Sequence, residues 1–176
     1  MIKLTLFKPS DFDTFISWID SKELLVAIAG TVLTYPITTD QLHAYLDDSN
    51  SISFNVVDTI QNKTIGHAEI IRTGTGTCKL DKILLGDKAN RGKGVGEKLM
   101  NELLDYSFRT LEMNEVELNV YDWNIAGIKC YEKVGFVINP SKIQTTILDN
   151  LQWTALNMTI DRKKWGEKAA LTIISR

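Results

Sequence analysis

The sequence predicts one α/β domain, a mixed and largely antiparallel sheet flanked by helices. Three observations point there. Stretches of apolar–polar alternation, the pattern of half-buried strands, recur along the chain. Stretches with apolar residues three and four apart, the pattern of helices packed on one face, lie between them. The 176 residues hold no internal repeat and no linker-like composition, and that length suits a single domain.

Taken in order, "IKLTLF" alternates at Ile2, Leu4 and Leu6 as a strand does. In "PSDFDTFISWID" the period changes, with Phe12, Phe15, Ile16 and Ile19 at helical spacing. Ser10 and Asp13 have the spacing of a capping box. "SKELLVAIAG" reads as helix with Gly30 as its stop. After Pro36 a short helix presents Leu42, Tyr45 and Leu46, with Thr39 placed to cap it. "ISFNVVD" and "TIGHAEII" read as a hairpin, and "CKLDKILL" follows as the next strand. From Val95 an amphipathic helix of about four turns carries Leu99, Met100, Leu103, Leu104, Phe108 and Leu111. "EVELNVY" is a strand, and "NIAGIKCYEKVGF" is a short helix closed by Gly135. "FVI" begins a strand that Pro140 ends. "TTILDNLQWTALNMTI" is a final hairpin turning at Asp149-Asn150. This gives a domain over residues 1–165 and an unassigned tail over 166–176.

Composition narrows the function. Twenty Lys and Arg stand against 22 Asp and Glu, a net charge of −2, which argues against nucleic acid as the partner. Cys78 and Cys130 have no metal-like spacing and only two histidines accompany them, so no metal site is expected. The opening "MIKLTLFKPSDF" lacks the apolar centre of a secretory leader, and no apolar run reaches the ~20 residues of a membrane span. A cytoplasmic protein without membrane partners is expected.

The loop "ANRGKGVGEKLM" lies between a strand and a long helix. A helix amino terminus offers unpaired N–H groups to an anion, and glycines let backbone amides approach phosphate oxygens. From Lys88 to Lys98 four cations stand against the single carboxylate of Glu97. Two phosphate-binding readings fail on spacing. The nucleoside-triphosphate loop needs a hydroxyl residue after its lysine, and here Leu99 follows Lys98. The dinucleotide fingerprint needs G-x-G-x-x-G after the first strand, and here the spacing is G-x-G-x-G after the fourth.

A third reading fits. "RGKGVG" resembles the R/Q-x-x-G-x-G/A signature of the GCN5-related N-acetyltransferase (GNAT) family, with Arg91, Gly94 and Gly96 at the signature positions. "NIAGIKCYEKVGF" resembles the same family's N-x-x-A-x-x-x-Y-x-K-x-G-F segment. Asn124, Tyr131, Lys133, Gly135 and Phe136 match, and Gly127 stands where the family often has alanine. The resemblance implies the acyl-CoA N-acyltransferase fold and acetyl-coenzyme A as donor, with an amine acceptor. It implies that Arg91, Gly92, Lys93, Gly94, Val95 and Gly96 hold the pyrophosphate. It also implies that backbone groups of Ile83, Leu84 and Leu85 pair with the pantetheine, and that Tyr131 protonates the leaving thiolate. On a helix Asn124, Gly127 and Tyr131 share a face, so an amide, a gap and a phenol would line one groove for the pantetheine arm.

The residues leave the general base open. Asp81 and Glu69 are candidates, with Glu117 beside them. Alternation puts Asp81 on the face of Ile83 and Leu85, and Glu69 on the face of His67. His67 and His43 have a suitable titration range but no motif. The acceptor side is expected over Phe12 to Asn50, with Trp18, Tyr35, His43, Asp40, Asp47 and Asp48. Trp123 either walls the site or fills core. Two other functions stay open: a non-catalytic acyl-CoA-binding module, and an acyltransferase using a hydroxyl acceptor or a longer acyl donor. The chain is expected as a monomer or homodimer.

Overall fold

A computed structural model describes residues 1–86, 90 and 92–174. Seven strands form a sheet in the order β1-β2-β3-β4-β5-β7-β6. They are β1 (Ile2–Leu6), β2 (Ser51–Asp58), β3 (Lys63–Gly74), β4 (Thr77–Leu85), β5 (Glu115–Tyr121), β6 (Val137–Leu148) and β7 (Leu151–Asp161). The pairings β1–β2, β2–β3, β5–β7 and β6–β7 are antiparallel. The helices are α1 (Phe12–Trp18), α2 (Lys22–Ala29), α3 (Thr39–Leu46), α4 (Val95–Asp105), α5 (Ile125–Val134) and α6 (Arg162–Ile174). The chain forms two compact units, one of Met1–Ile71 with Leu80–Leu99, the other of Arg72–Lys79 with Met100–Arg176.

In the first unit, Phe7, Phe12, Phe15, Ile19, Leu25, Leu42 and Leu84 share one buried core. The helix starts differ from the expected ones by a residue or two. The amide of Lys8 donates to Asp11 Oδ2 at 2.8 Å, so the capping contact precedes α1 and does not use Ser10 with Asp13. Thr38, not Thr39, caps α3 by accepting from the Gln41 amide at 3.3 Å. A Thr-Thr pair offers two equivalent hydroxyls, and only the backbone path selects the first. Ser21 caps α2 through the Leu24 amide, and Gly30 closes it at a positive φ of 59°, a backbone open to glycine.

In the second unit, β5 and β7 bury one face through the cross-strand pairs Val116–Ile160, Leu118–Met158 and Val120–Leu156. Their register puts Glu117, Asn119 and Tyr121 on the opposite face. Asp149 and Asn150, both at positive φ, make the expected hairpin turn. Pro140 does not end its strand. β6 continues to Leu148, and the register slips between Asn139 and Ile143. A proline on an edge strand is tolerated at such a bulge because no ladder hydrogen bond is needed there. The segment after Asp161 is helix α6, which crosses the 165/166 position where the sequence pattern loses its signal. The Arg162 side chain donates to the Met113 carbonyl at 2.9 Å, and Trp165 packs on Phe108 with ring centroids 5.2 Å apart. After α4 the chain widens into a π-type turn over Tyr106–Thr110.

Candidate active site

In the first unit, β4 alternates cleanly: Leu80, Lys82 and Leu84 are buried, while Asp81, Ile83 and Leu85 are partly exposed. Glycines admit close neighbours at its end. A Cβ on Gly66 of β3 would lie 2.4 Å from the Leu84 carbonyl oxygen. A Cβ on Gly86 would lie 2.0 Å from the Trp18 indole, so Trp18 packs flat against the backbone that follows β4. Only glycine permits either approach.

Lys82 interrupts the strand geometry with φ 46°. A left-handed residue in a strand re-aims its side chain. The Lys82 ammonium thereby reaches Glu69 Oε2 at 2.5 Å and Asp81 Oδ2 at 3.1 Å. In an undistorted strand Asp81 and Lys82 would point to opposite faces. Burial alone would lower the Lys82 pKa, but the two carboxylates outweigh it and raise the value. The ammonium also lies 4.9 Å from the centre of the Tyr45 ring.

Tyr45 links this ion pair to His67. Its hydroxyl lies 3.0 Å from His67 Nε2, and His67 Nδ1 has no hydrogen-bond partner among the described residues. Burial, reinforced by the Lys82 charge, lowers the His67 pKa to about 3. The imidazole is neutral, wedged between Phe7 and Phe15 at centroid distances of 4.6 and 4.7 Å. His43, the other histidine, packs edge-on to Phe12.

Arg91 lies outside the described residues. Gly92 and Gly94 each have φ +74°, and a Cβ on either would point into open space. These glycines are required by backbone conformation and not by crowding. The Lys98 amide bonds to the Gly94 carbonyl at 3.2 Å, so α4 starts directly from the turn. Lys93, Val95 and Gly96 complete that start. A left-handed turn feeding a helix amino terminus suits a pyrophosphate.

In the second unit, α5 carries the other motif. Asn124 is its N-cap and accepts from the Gly127 amide at 3.0 Å. A Cβ on Gly127 would lie 2.8 Å from the Asn124 amide nitrogen. The space beside Gly127 is therefore filled by Asn124 itself and is not the open gap expected from helical spacing. Gly135 ends the helix at φ 112°, and its amide bonds to the Tyr131 and Glu132 carbonyls. Phe136 is buried. Much of the motif is thus helix punctuation. Tyr131 is partly buried and edge-on to Phe136. Burial, with a further contribution from Cys130, raises the phenol's pKa above its ordinary value and keeps it protonated.

Among the described residues, no group of three or more His, Cys, Asp or Glu side chains could hold a metal, and no helix is long and apolar enough to cross a membrane.

The profile of the "Acetyltransferase (GNAT) family" matches residues 17–136. The chain is similar to an N-acetyltransferase 9-like protein of Nematostella vectensis, 23% identical over 147 residues, covering 77% of this chain and 74% of that one. It is similar to spermidine N(1)-acetyltransferase of Vibrio cholerae, 32% identical over 82 residues, 47% of each chain. Its fold resembles the crystal structure of a Vibrio cholerae spermidine N-acetyltransferase in complex with CoA and spermine. The TM-score is 0.79 at 21% identity, covering 93% of this chain and 97% of that one. The family match takes in both motifs and two thirds of the chain, so the protein belongs to the GNAT acetyltransferase family. Its activity is the acetyl-CoA-dependent N-acetylation of amines.

Proposed function

We propose that the acceptor is a polycationic amine and that the acetyl group passes by direct attack. The amine nitrogen, having lost a proton, bonds to the thioester carbonyl carbon. The tetrahedral adduct then breaks its C–S bond, the sulfur takes the Tyr131 proton, and the nitrogen gives up its second proton, which restores the neutral phenol. The observation that carries this reading is the position of Tyr131, packed on Phe136 in a helix whose cap residues complete the family motif. The turn at Gly92 to Gly96, with Lys93 and Arg91, holds the pyrophosphate, and the backbone of Ile83, Leu84 and Leu85 aligns the pantetheine and acetyl groups. Of the two candidate bases, Asp81 suits the role better. Both are paired with Lys82, but the Asp81 side chain is 18% exposed and the more distant partner, whereas that of Glu69 is 2% exposed. The spermidine relative supports a polyamine acceptor.

The test is an acceptor screen that reads release of free thiol from acetyl-CoA. It covers polyamines, aminoglycosides, amino acids and peptide amino termini. Polyamines should give the highest kcat/KM, and turnover with none of the amines would overturn the reading. Tyr131→Phe should lower kcat about a hundredfold with little change in the acetyl-CoA KM. A non-catalytic acyl-CoA-binding module would instead bind the donor equally well with and without the hydroxyl and release no thiol.

A further inference from the structure

The face of β5, β7 and β6 that carries Glu117 gathers groups of a kind that recognise ammonium ions. Glu117 sits mid-strand on β5, with its side chain 17% exposed. Its Oε2 accepts from Lys142 Nζ at 2.8 Å and from Asn157 Nδ2 at 3.2 Å. Lys142 belongs to the bulge on edge strand β6, where the register slips, and it reaches over β7 to make this contact. Its own side chain is 56% exposed.

Asn157 is buried and holds the carboxylate in place. Its amide nitrogen also bonds to Asn119 Oδ1 at 3.0 Å and to the Leu118 carbonyl at 3.4 Å. Three acceptors around one nitrogen fix the orientation of the amide, and its Oδ1 has no partner among the described residues. Asn119 passes the network on to Gln144 at 3.3 Å.

Four residues along β5, about 13 Å at the strand rise, the same face becomes aromatic. Tyr121 and Trp123 stack at 5.7 Å with their planes 3° apart. Trp153 of β7 meets both edge-on, at 5.0 and 5.3 Å. Trp123 is 52% exposed, and an indole attracts a cation placed over its ring.

We propose that this face binds a linear polyammonium, with Lys142 as its displaceable internal occupant. The Glu117 carboxylate and the aromatic cluster that begins at Tyr121 are about 13 Å apart along the strand, a length on the scale of an extended polyamine. The Lys142 ammonium already sits where the first cationic centre would bind. An exposed ion pair of this kind is weak and yields to a multivalent competitor. The proposal rests on the polycationic-acceptor reading only in identifying the ligand with the acceptor.

Spermidine binding is measured by calorimetry on the whole protein without acetyl-CoA, at constant ionic strength. Lys142→Met should tighten binding about two- to fivefold by freeing Glu117, while Lys142→Arg should leave it unchanged. Glu117→Gln should weaken it about tenfold, and the Lys142→Met/Glu117→Gln double variant should be as weak. Trp123→Ala should weaken it by a smaller factor. Unchanged or weaker binding in Lys142→Met, or unchanged binding in Glu117→Gln, overturns the proposal. Because no turnover is involved, absence of acetylation would sink the acceptor reading and leave this site standing. Acetylation of spermidine with no response in either variant would do the reverse.

Discussion

Lys82 is buried and has a left-handed backbone, two features that each cost stability in a lysine. The conformation alone costs about 1–2 kcal/mol, and a buried ammonium requires a counter-ion. Glu69 and Asp81 together hold it. Glu69→Gln is expected to destabilise the protein by about 3 kcal/mol in urea unfolding, because it strips the nearer counter-ion from a buried cation. Asp81→Asn should cost under about 1 kcal/mol, since Asp81 is the more exposed partner. Both acids stand out in the sequence as carboxylates on central strands. Their different roles do not, because strand alternation separates Asp81 from Lys82, and only the left-handed turn of the backbone brings them together. Tyr131 was legible through its motif. The inward turn of Asn124 was not, since an N-cap and a ligand-facing amide have the same letter in the same place.

At the scale of elements, the glycine turn before α4 separates two reasons for a glycine. Gly66 and Gly86 are demanded by neighbours, Gly92 and Gly94 by φ. Gly94→Ala should therefore strain the turn without any clash. The expected result is a several-fold rise in acetyl-CoA KM with about 1 kcal/mol lost in stability. Steady-state kinetics and a urea titration on the same variant check both halves. Strand and helix periods placed the elements well because each period is local. The errors fell where the local pattern is silent. Pro140 reads as a terminator until the edge position and the bulge make room for it. Helix α6 lacks a clean amphipathic period, and its placement comes from tertiary contacts, Arg162 on the Met113 carbonyl and Trp165 on Phe108.

For the molecule as a whole, His67 couples folding to pH. Its pKa is about 3 in the fold against 6.5 ordinarily. Below pH 6.5 the unfolded chain takes up a proton that the native protein excludes. Stability from this group is complete above 6.5 and is lost as pH falls toward 3. The loss between pH 7 and pH 4 is about 3 kcal/mol. Unfolding free energies measured across that range should show this slope in the wild type, and His67→Phe should lack it. An equal slope in both would mean that the histidine is protonated in the fold.

The sequence by itself determined the α/β class, the element order as far as the final hairpin, the residues of the two motifs and, through their resemblance to the GNAT family, the donor. These depend on short-range periodicity, on turn chemistry and on spacings a dozen residues long, all written along the chain. The tertiary structure alone decided which polar groups share an environment. His67, Tyr45, Glu69 and Lys82 come from β3, α3 and β4, and Glu117, Asn157 and Lys142 from three strands. Charge and burial act through space, and their effect on a side chain is set once the sheet has brought distant positions together.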